Sequence, residues 1–303
     1  MNDVLLIVGT GALACLFAAR LAAAGVQVTL LGTWREGLET LRAHGVRLLK
    51  ADGSANAFPV RATDNPADCE GSRLALVLVK SWQTERAAAQ LAGCLAPDGL
   101  ALTLQNGLGN REKLAAVLGQ SRVALGVTTT GATLLGPGQV RPGGEGTLSL
   151  GAHPRLEPLA ALLEQAGLAV EIVPEADDLL WSKLVINAAI NPLTALLRVP
   201  NGALLARPSA RALMATAARE AAAVATALDR RLTYPDPITM AEAVARRTAT
   251  NHSSMYQDVL RGAPTEIDAI CGAIVTAGKD CGVPTPVNRT LWLLIEALNE
   301  KEG

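Results

Sequence analysis

"VLLIVGTGALACLFAARLAAAGVQVTLL", residues 4–31, reads in three parts. Val4 to Val8 is a short apolar run of the kind that forms a strand buried on both faces. From Gly9 the segment GTGALA opens an alanine-rich helix that stops near Gly25, and Val26 to Leu31 reads as a second strand. Strand, helix and strand in so short a space make a βαβ unit. In its Gly-x-Gly-x-x-Ala turn, Gly9 permits the tight bend, Gly11 lets a pyrophosphate approach the backbone, and the small Ala14 packs helix against sheet. Gly9, Thr10, Gly11, Ala12, Leu13 and Ala14 then form a helix start whose N–H groups lack intrahelical partners and face the phosphates of a dinucleotide. The same stretch is apolar enough to suggest a signal peptide or a membrane span. Against both, Asp3 stands where a basic leader would be and Arg20 interrupts the run.

The residues after the second strand bear on which dinucleotide. An NAD site places a carboxylate there for the ribose 2′-OH. This chain reads LLGTWREG: Gly32 and Thr33 bring no acid, and Arg35 is near enough to pair with a 2′-phosphate, which favours NADPH over NADH. The alternative is a solvated Arg35 in a helix's first turn. Two more strands, Arg73 to Lys80 and Leu100 to Gly107, flank a helical stretch ending near Leu95. Ligands gather at the carboxyl ends of strands in an open α/β sheet, so Lys80 and Asn106 are expected at the crevice that holds the glycine turn. Residues 124–151 are rich in Gly and Thr and read as hairpins, followed by a helix over 156–166 and a strand over 169–173. Pro174 marks a boundary.

Beyond it the composition turns to long alanine- and leucine-rich segments without strand pattern. The fold class is therefore an α/β N-terminal Rossmann-type dinucleotide-binding domain, residues 1–174, followed by an all-α C-terminal domain, residues 175–303, holding the substrate. A formal net charge of −1 with no long basic run excludes a nucleic-acid binder's electrostatic footprint. The 5 cysteines include no Cys-x-x-Cys pair and their odd number completes no disulfide framework, which places the chain in a reducing, cytoplasmic setting. The 3 histidines are scattered, so no metal site is expected. No membrane partner is expected, and the apolar helices leave a homodimer open.

In KLVINAAINPLTAL, residues 183–196, Lys183, Asn187 and Asn191 follow one another at i, i+4, drifting by about 40° per step around the helix. They form one polar line in an apolar segment. Singly, each fits a buried amide satisfied by backbone or a lysine reaching for water. Together they suit a ligand: desolvation would lower the lysine pKa towards the range of a general acid, and the asparagines supply neutral donors and acceptors for carboxylate and hydroxyl oxygens. Pro192 cannot donate to the carbonyl of Ala188, so a kink is expected where the line ends. Downstream, Asn251, Ser253 and Ser254 look like a helix start, and Gly262 and Pro264 break that helix before Thr265 caps the next, at whose start Glu266 falls.

Joined together, these motifs resemble the ketopantoate reductase family: Gly-x-Gly-x-x-Ala at Gly9, KSWQT at Lys80, QNGLG at Gln105, KLVINAAINPLTAL at Lys183, PNG at Pro200 and SSMYQDVLRGAPTEID at Ser253. The resemblance covers nearly the whole chain. It implies an enzyme that reduces ketopantoate to D-pantoate, in the synthesis of pantothenate and coenzyme A. NADPH would be held through Gly9 to Ala14, Lys80, Asn106 and the backbone near Ala132, with Glu266 at the nicotinamide ribose or the substrate. Lys183 would be the proton donor, and Asn106, Asn187, Asn191, Asn201 and Ser254 would hold the substrate. A related reductase of another 2-oxo acid is the nearest alternative; a non-catalytic nucleotide sensor is a more distant one, since a sensor needs no proton donor.

Overall fold

The computed structural model describes residues 4–50 and 52–300. Its contacts divide into two compact units. The first takes in the chain up to Gln105 together with Asn110–Ala176; the second takes in Asn106–Gly109 together with the chain from Asp177 onward.

In the first unit β1 (Leu5–Val8) leads through α1 (Ala12–Ala23) to β2 (Val28–Leu31), α2 (Arg35–His44), β3 (Val46–Leu49), β4 (Ala55–Phe58), β5 (Arg61–Thr63) and β6 (Ser72–Val77). Then follow α3 (Thr84–Cys94), β7 (Leu95–Thr103), α4 (Asn110–Leu118), β8 (Val123–Thr128), β9 (Gly131–Gly136), β10 (Gln139–Gly144), β11 (Thr147–Gly151), α5 (Glu157–Gln165) and β12 (Ala169–Val173). Six strands pair in parallel in the order β5-β2-β1-β6-β7-β8. Numbered within that set the order is 3-2-1-4-5-6, the doubly wound arrangement whose ligand crevice lies where the winding reverses, between β1 and β6. Antiparallel β11 joins β8, and β12 pairs in parallel with β11.

The pattern follows from the residues. Every residue of β1 and β2 is buried, as expected for strands covered on both faces. Helix α1 can lie close to the sheet because small residues, Ala14, Ala18 and Ala19, are buried beside Leu16 and Phe17. Two features differ from the sequence reading. Strand β7 begins at Leu95, its first residue pairing out of step with Ser72 before the regular register starts at Leu74 and Leu100. A second, four-stranded sheet, β4-β3-β10-β9, is built partly from residues 46–58, which lack a clean two-residue alternation. Its hairpin is held by Asp52, whose Oδ1 accepts from the Ser54 amide at 2.8 Å and the Ser54 hydroxyl at 2.6 Å.

The second unit is helical: α6 (Ala176–Leu197), α7 (Pro208–Ala227), α8 (Pro237–Arg247), α9 (Ser254–Leu260), α10 (Ala273–Cys281) and α11 (Pro286–Asn299). Helix α6 has the length and apolarity of a membrane span, yet 78% of its most apolar window is buried within the protein. Pro192 lies inside it, and the helix continues on both sides. Leu184, Val185 and Ala188 of α6, the alanine face of α7 (Ala217, Ala218, Ala221) and Ile270, Ile274 and Leu291 form its core. All five cysteines of the chain are free thiols.

One cap in this core is supplied from a distance. Among the described residues Thr285, at the start of α11, makes no side-chain cap; instead the Glu220 carboxylate of α7 accepts from the Val287 and Asn288 amides and from Asn288 Nδ2, each at 2.9 Å. A carboxylate here also complements the helix dipole. Glu220→Ala is expected to cost about 2–4 kcal/mol, because charge-assisted hydrogen bonds are lost together and buried donors are left behind. Urea denaturation reads this as a lower midpoint at unchanged slope; an unchanged midpoint would show that water replaces the carboxylate.

Candidate active site

The glycine turn sits at the carboxyl end of β1, beside β6. Gly9 has φ +129°, and a Cβ there would lie 3.1 Å from the Leu78 carbonyl group, so only glycine lets β1 end so near β6. Gly11 is different. It is the extended N-cap of α1, and among the described residues a Cβ on it would meet nothing within 4 Å. No side chain caps the helix among the described residues, and its first turn carries no acid. Open space over bare helix-start N–H groups fits a diphosphate group.

Gly32 follows β2 and donates its N–H to the Thr63 carbonyl at 3.0 Å. A Cβ on it would come within 2.7 Å of Thr10 Cγ2 in the glycine turn. Arg35, two residues beyond Thr33, has a side chain 92% exposed, with Nε donating to Glu39 Oε1 at 2.8 Å. Lys80 lies three residues past β6, half-buried, and its backbone N–H donates to Gln83 Oε1 at 3.3 Å. Ala132, also half-buried, stands in β9 opposite Pro142 of β10.

A second group of polar residues is assembled in the helical unit. Lys183 and Asn187 are half-buried and Asn191 is buried, in one line along α6. Burial lowers the Lys183 pKa from 10.5 to about 8, because the uncharged amine tolerates desolvation better than the ammonium. The negative charge of Glu266 opposes the shift and keeps the proton on the amine. Glu266 is only 5% exposed. Its Oε2 accepts from Asn106 Nδ2 at 3.3 Å.

The segment carrying Asn106 is fixed by more than that bond. Leu108 donates its N–H to the Ala269 carbonyl at 2.9 Å, while Gly107, at φ +84°, lies tight against Ala269. Ala269 belongs to a π-helical turn, Asp268–Gly272, that begins two residues after Glu266. The extra residue of such a turn offsets the carbonyls from the ordinary ladder, and π-turns cluster at functional sites. Thr265 caps the turn before it, accepting from the Ile267 amide at 3.4 Å.

Asn201 lies in a short 3-10 turn and is 8% exposed. Its Nδ2 donates to Thr248 Oγ1 at 2.8 Å, but its buried Oδ1 has no hydrogen-bond partner among the described residues. Ser253 is the N-cap of α9: its Oγ accepts from the Tyr256 amide at 3.1 Å and lies 2.7 Å from Thr194 Oγ1 of α6. Ser254, the next residue, is exposed. The structure thus brings Asn106, Lys183 and Glu266 into one electrostatic group, places Asn187 and Asn191 along the same helix as Lys183, and keeps the Gly9–Ala14 turn, Arg35, Lys80 and Ala132 in the first unit. The Thr194–Ser253 contact and the Ala269 carbonyl were not foreseen, and no periodicity announces either. Among the described residues no group of three or more His, Cys, Asp or Glu side chains could hold a metal.

Residues 5–155 match the family described as "Ketopantoate reductase PanE/ApbA", and residues 175–299 match "Ketopantoate reductase PanE/ApbA C terminal". The chain is 35% identical over 300 residues to the 2-dehydropantoate 2-reductase of Halobacterium salinarum, covering 97% of this chain and 98% of that one. Its fold superposes on a PanE/ApbA family ketopantoate reductase from Ralstonia eutropha JMP134 with TM-score 0.90 and 34% identity, over 98% of both chains. A D-mandelate dehydrogenase solved with NADH and anilino(oxo)acetate gives TM-score 0.89 at 27% identity, again over 98% of both. With family matches on both parts and a relative aligned along nearly its whole length, this chain belongs to the ketopantoate reductase family.

Proposed function

We propose that the protein is an NADPH-dependent oxidoreductase that reduces ketopantoate (2-dehydropantoate) to D-pantoate, with Lys183 as the proton donor. The observation that carries this reading is Lys183 itself, an amine whose pKa burial brings down to about 8, on a helix that also presents Asn187 and Asn191. A proton donor works best when its pKa lies near the working pH.

When bound, NADPH supplies the hydride that reaches C2 of the 2-oxo acid. Lys183 transfers a proton from Nζ to the carbonyl oxygen, so the oxygen becomes the new hydroxyl and the amine is left neutral, to be reprotonated from water. Glu266 keeps Lys183 charged beforehand by its field. Asn106, pinned by Glu266, offers its amide to substrate and nicotinamide, while Asn187, Asn191 and Ser254 orient the substrate. Asn201 Oδ1, a buried acceptor lacking a donor among the described residues, suits a substrate hydroxyl, since such a group is costly to leave unpaired. In the first unit the Gly9–Ala14 turn would take the diphosphate, with Lys80 and the Ala132 backbone as further contacts to the cofactor.

Two features support NADPH over NADH. Position 32 carries no carboxylate of the kind a 2′-OH reader would need, and a Cβ there would crowd Thr10 Cγ2 at 2.7 Å. Arg35 is exposed, and its ion pair with Glu39 is a surface one, a kind of bond that a dianionic 2′-phosphate readily replaces. Arg35→Ala is expected to raise the NADPH KM about ten-fold and leave the NADH KM unchanged; an equal change for both would remove Arg35 from phosphate recognition. Five free thiols suit a reducing compartment, and we assign the protein to the cytoplasm.

The deciding experiment follows NADPH absorbance with purified protein and ketopantoate. Rapid, saturable oxidation with D-pantoate as product is the expected result. Turnover of a different 2-oxo acid alone would keep the lysine chemistry and overturn the substrate.

A further inference from the structure

Three buried polar residues of the first unit make a hydrogen-bonded cluster to which the proposed chemistry gives no part. Thr84 is wholly buried, Asn110 is 4% exposed and Gln105 is 6% exposed. Gln105 Nε2 donates to Thr84 Oγ1 at 2.8 Å and to the Val79 carbonyl at 3.0 Å, while Thr103 Oγ1 donates to Gln105 Oε1 at 2.9 Å. Thr84 Oγ1 stands 2.8 Å from Asn110 Oδ1 and 2.8 Å from the Ser81 carbonyl, and its single proton serves one of them at a time.

The place of these residues in the chain gives the cluster its meaning. Gln105 is the last residue of the first unit before the chain departs, and Asn110 is the first on its return. Between them run Asn106, Gly107, Leu108 and Gly109, with both glycines at positive φ, +84° and +85°. So short a loop is constrained at its two ends as well as by Glu266 and Ala269 along its length. One hydroxyl, on Thr84, touches both: it accepts from Gln105 Nε2 and is within donating distance of Asn110 Oδ1.

We propose that Thr84 is a positioning residue for Asn106: its hydroxyl clamps Gln105 and Asn110 together and thereby sets where the Asn106 amide is presented to the ligands. This rests on the reading of Asn106 as a ligand-binding residue. Thr84→Val keeps the shape of the side chain and removes the clamp, whereas Thr84→Ser keeps the hydroxyl.

The test is a double-mutant cycle of Thr84→Val with Asn106→Ala, read as kcat/KM for ketopantoate and as the Kd of NADPH by fluorescence titration. Thr84→Val alone is expected to lower kcat/KM about ten-fold and raise the NADPH Kd a few-fold, roughly as a small displacement of a contacting group does. Thr84→Ser stays within about two-fold of wild type, because the hydroxyl is retained. In the Asn106→Ala background Thr84→Val costs nothing further in either readout, although its effect on the melting temperature is the same in both backgrounds. Losses that multiply across the two sites would overturn the proposal, since a merely structural role acts whether or not Asn106 is present. If wild type reduces another 2-oxo acid instead of ketopantoate, the substrate reading fails and the cycle is run with that acid. If it reduces none, the NADPH Kd decides the cycle alone, and a Kd unmoved by Thr84→Val overturns the clamp.

Discussion

Lys183→Ala is expected to lower kcat by about 10²- to 10⁴-fold, the range a positioned general acid contributes, while NADPH binding, read by fluorescence, should stay near wild type. The pH profile ties the loss to the proton. With Lys183 as the donor, the wild-type rate is expected to be high while Lys183 is protonated and to fall as pH rises through about 8, the value to which burial brings the amine. In Lys183→Ala that descending limb disappears. Glu266→Gln moves the limb the other way from a simple loss: Glu266 raises the Lys183 pKa, so its removal shifts the fall in rate to lower pH. A limb that persists unchanged in Lys183→Ala would assign it to another group and take the donor role from Lys183.

Gly107→Ala should come close to that effect without touching a reacting group. Its φ of +84° already costs an alanine about 1–2 kcal/mol. In addition the new Cβ would stand 2.5 Å from the Ala269 carbonyl oxygen and 2.6 Å from the Ala269 Cβ, closer than such atoms approach. Backbone cannot swing aside as a long side chain can, so the segment itself must move, taking the Asn106 amide away from Glu266. A fall in kcat/KM of about 10²-fold is expected from a displacement on the order of 1 Å. Gly109→Ala is the control: at φ +85° it carries the same backbone strain, yet among the described residues its Cβ would meet nothing within 4 Å. Equal damage from the two variants would make backbone strain, and not crowding against Ala269, the cause.

The nucleotide-binding half could be read because its signals are local. A buried strand, a glycine turn and an alanine helix announce themselves within one βαβ unit, and the polar line of α6 follows from helical spacing alone. Less legible were features that depend on residues far apart in sequence. The pairing of β3 with β10 joins residues 47 and 139, and nothing near either residue marks it. The lowered pKa of Lys183 needs a helix that buries it and a glutamate 83 residues downstream. A π-turn has no composition signal, so the contact between Leu108 and Ala269 could not be foreseen. Pro192 shows how far a local rule reaches: its missing N–H marks a weak point in the ladder, and α6 continues as helix on both sides of it within the surrounding core.

The brief departure of the chain between Gln105 and Asn110 has a bearing on inheritance. Recombination between two related genes at the obvious seam, near residue 176, would look harmless, because it exchanges the helical unit nearly whole. It would nevertheless take Asn106 from one parent and Glu266 from the other, dividing the two partners of one hydrogen bond. Residues 106–109 therefore have to match the helices as well as the first-unit residues that flank them in sequence. Anyone grafting a new substrate preference onto this scaffold would have to move four residues from the first half along with the second.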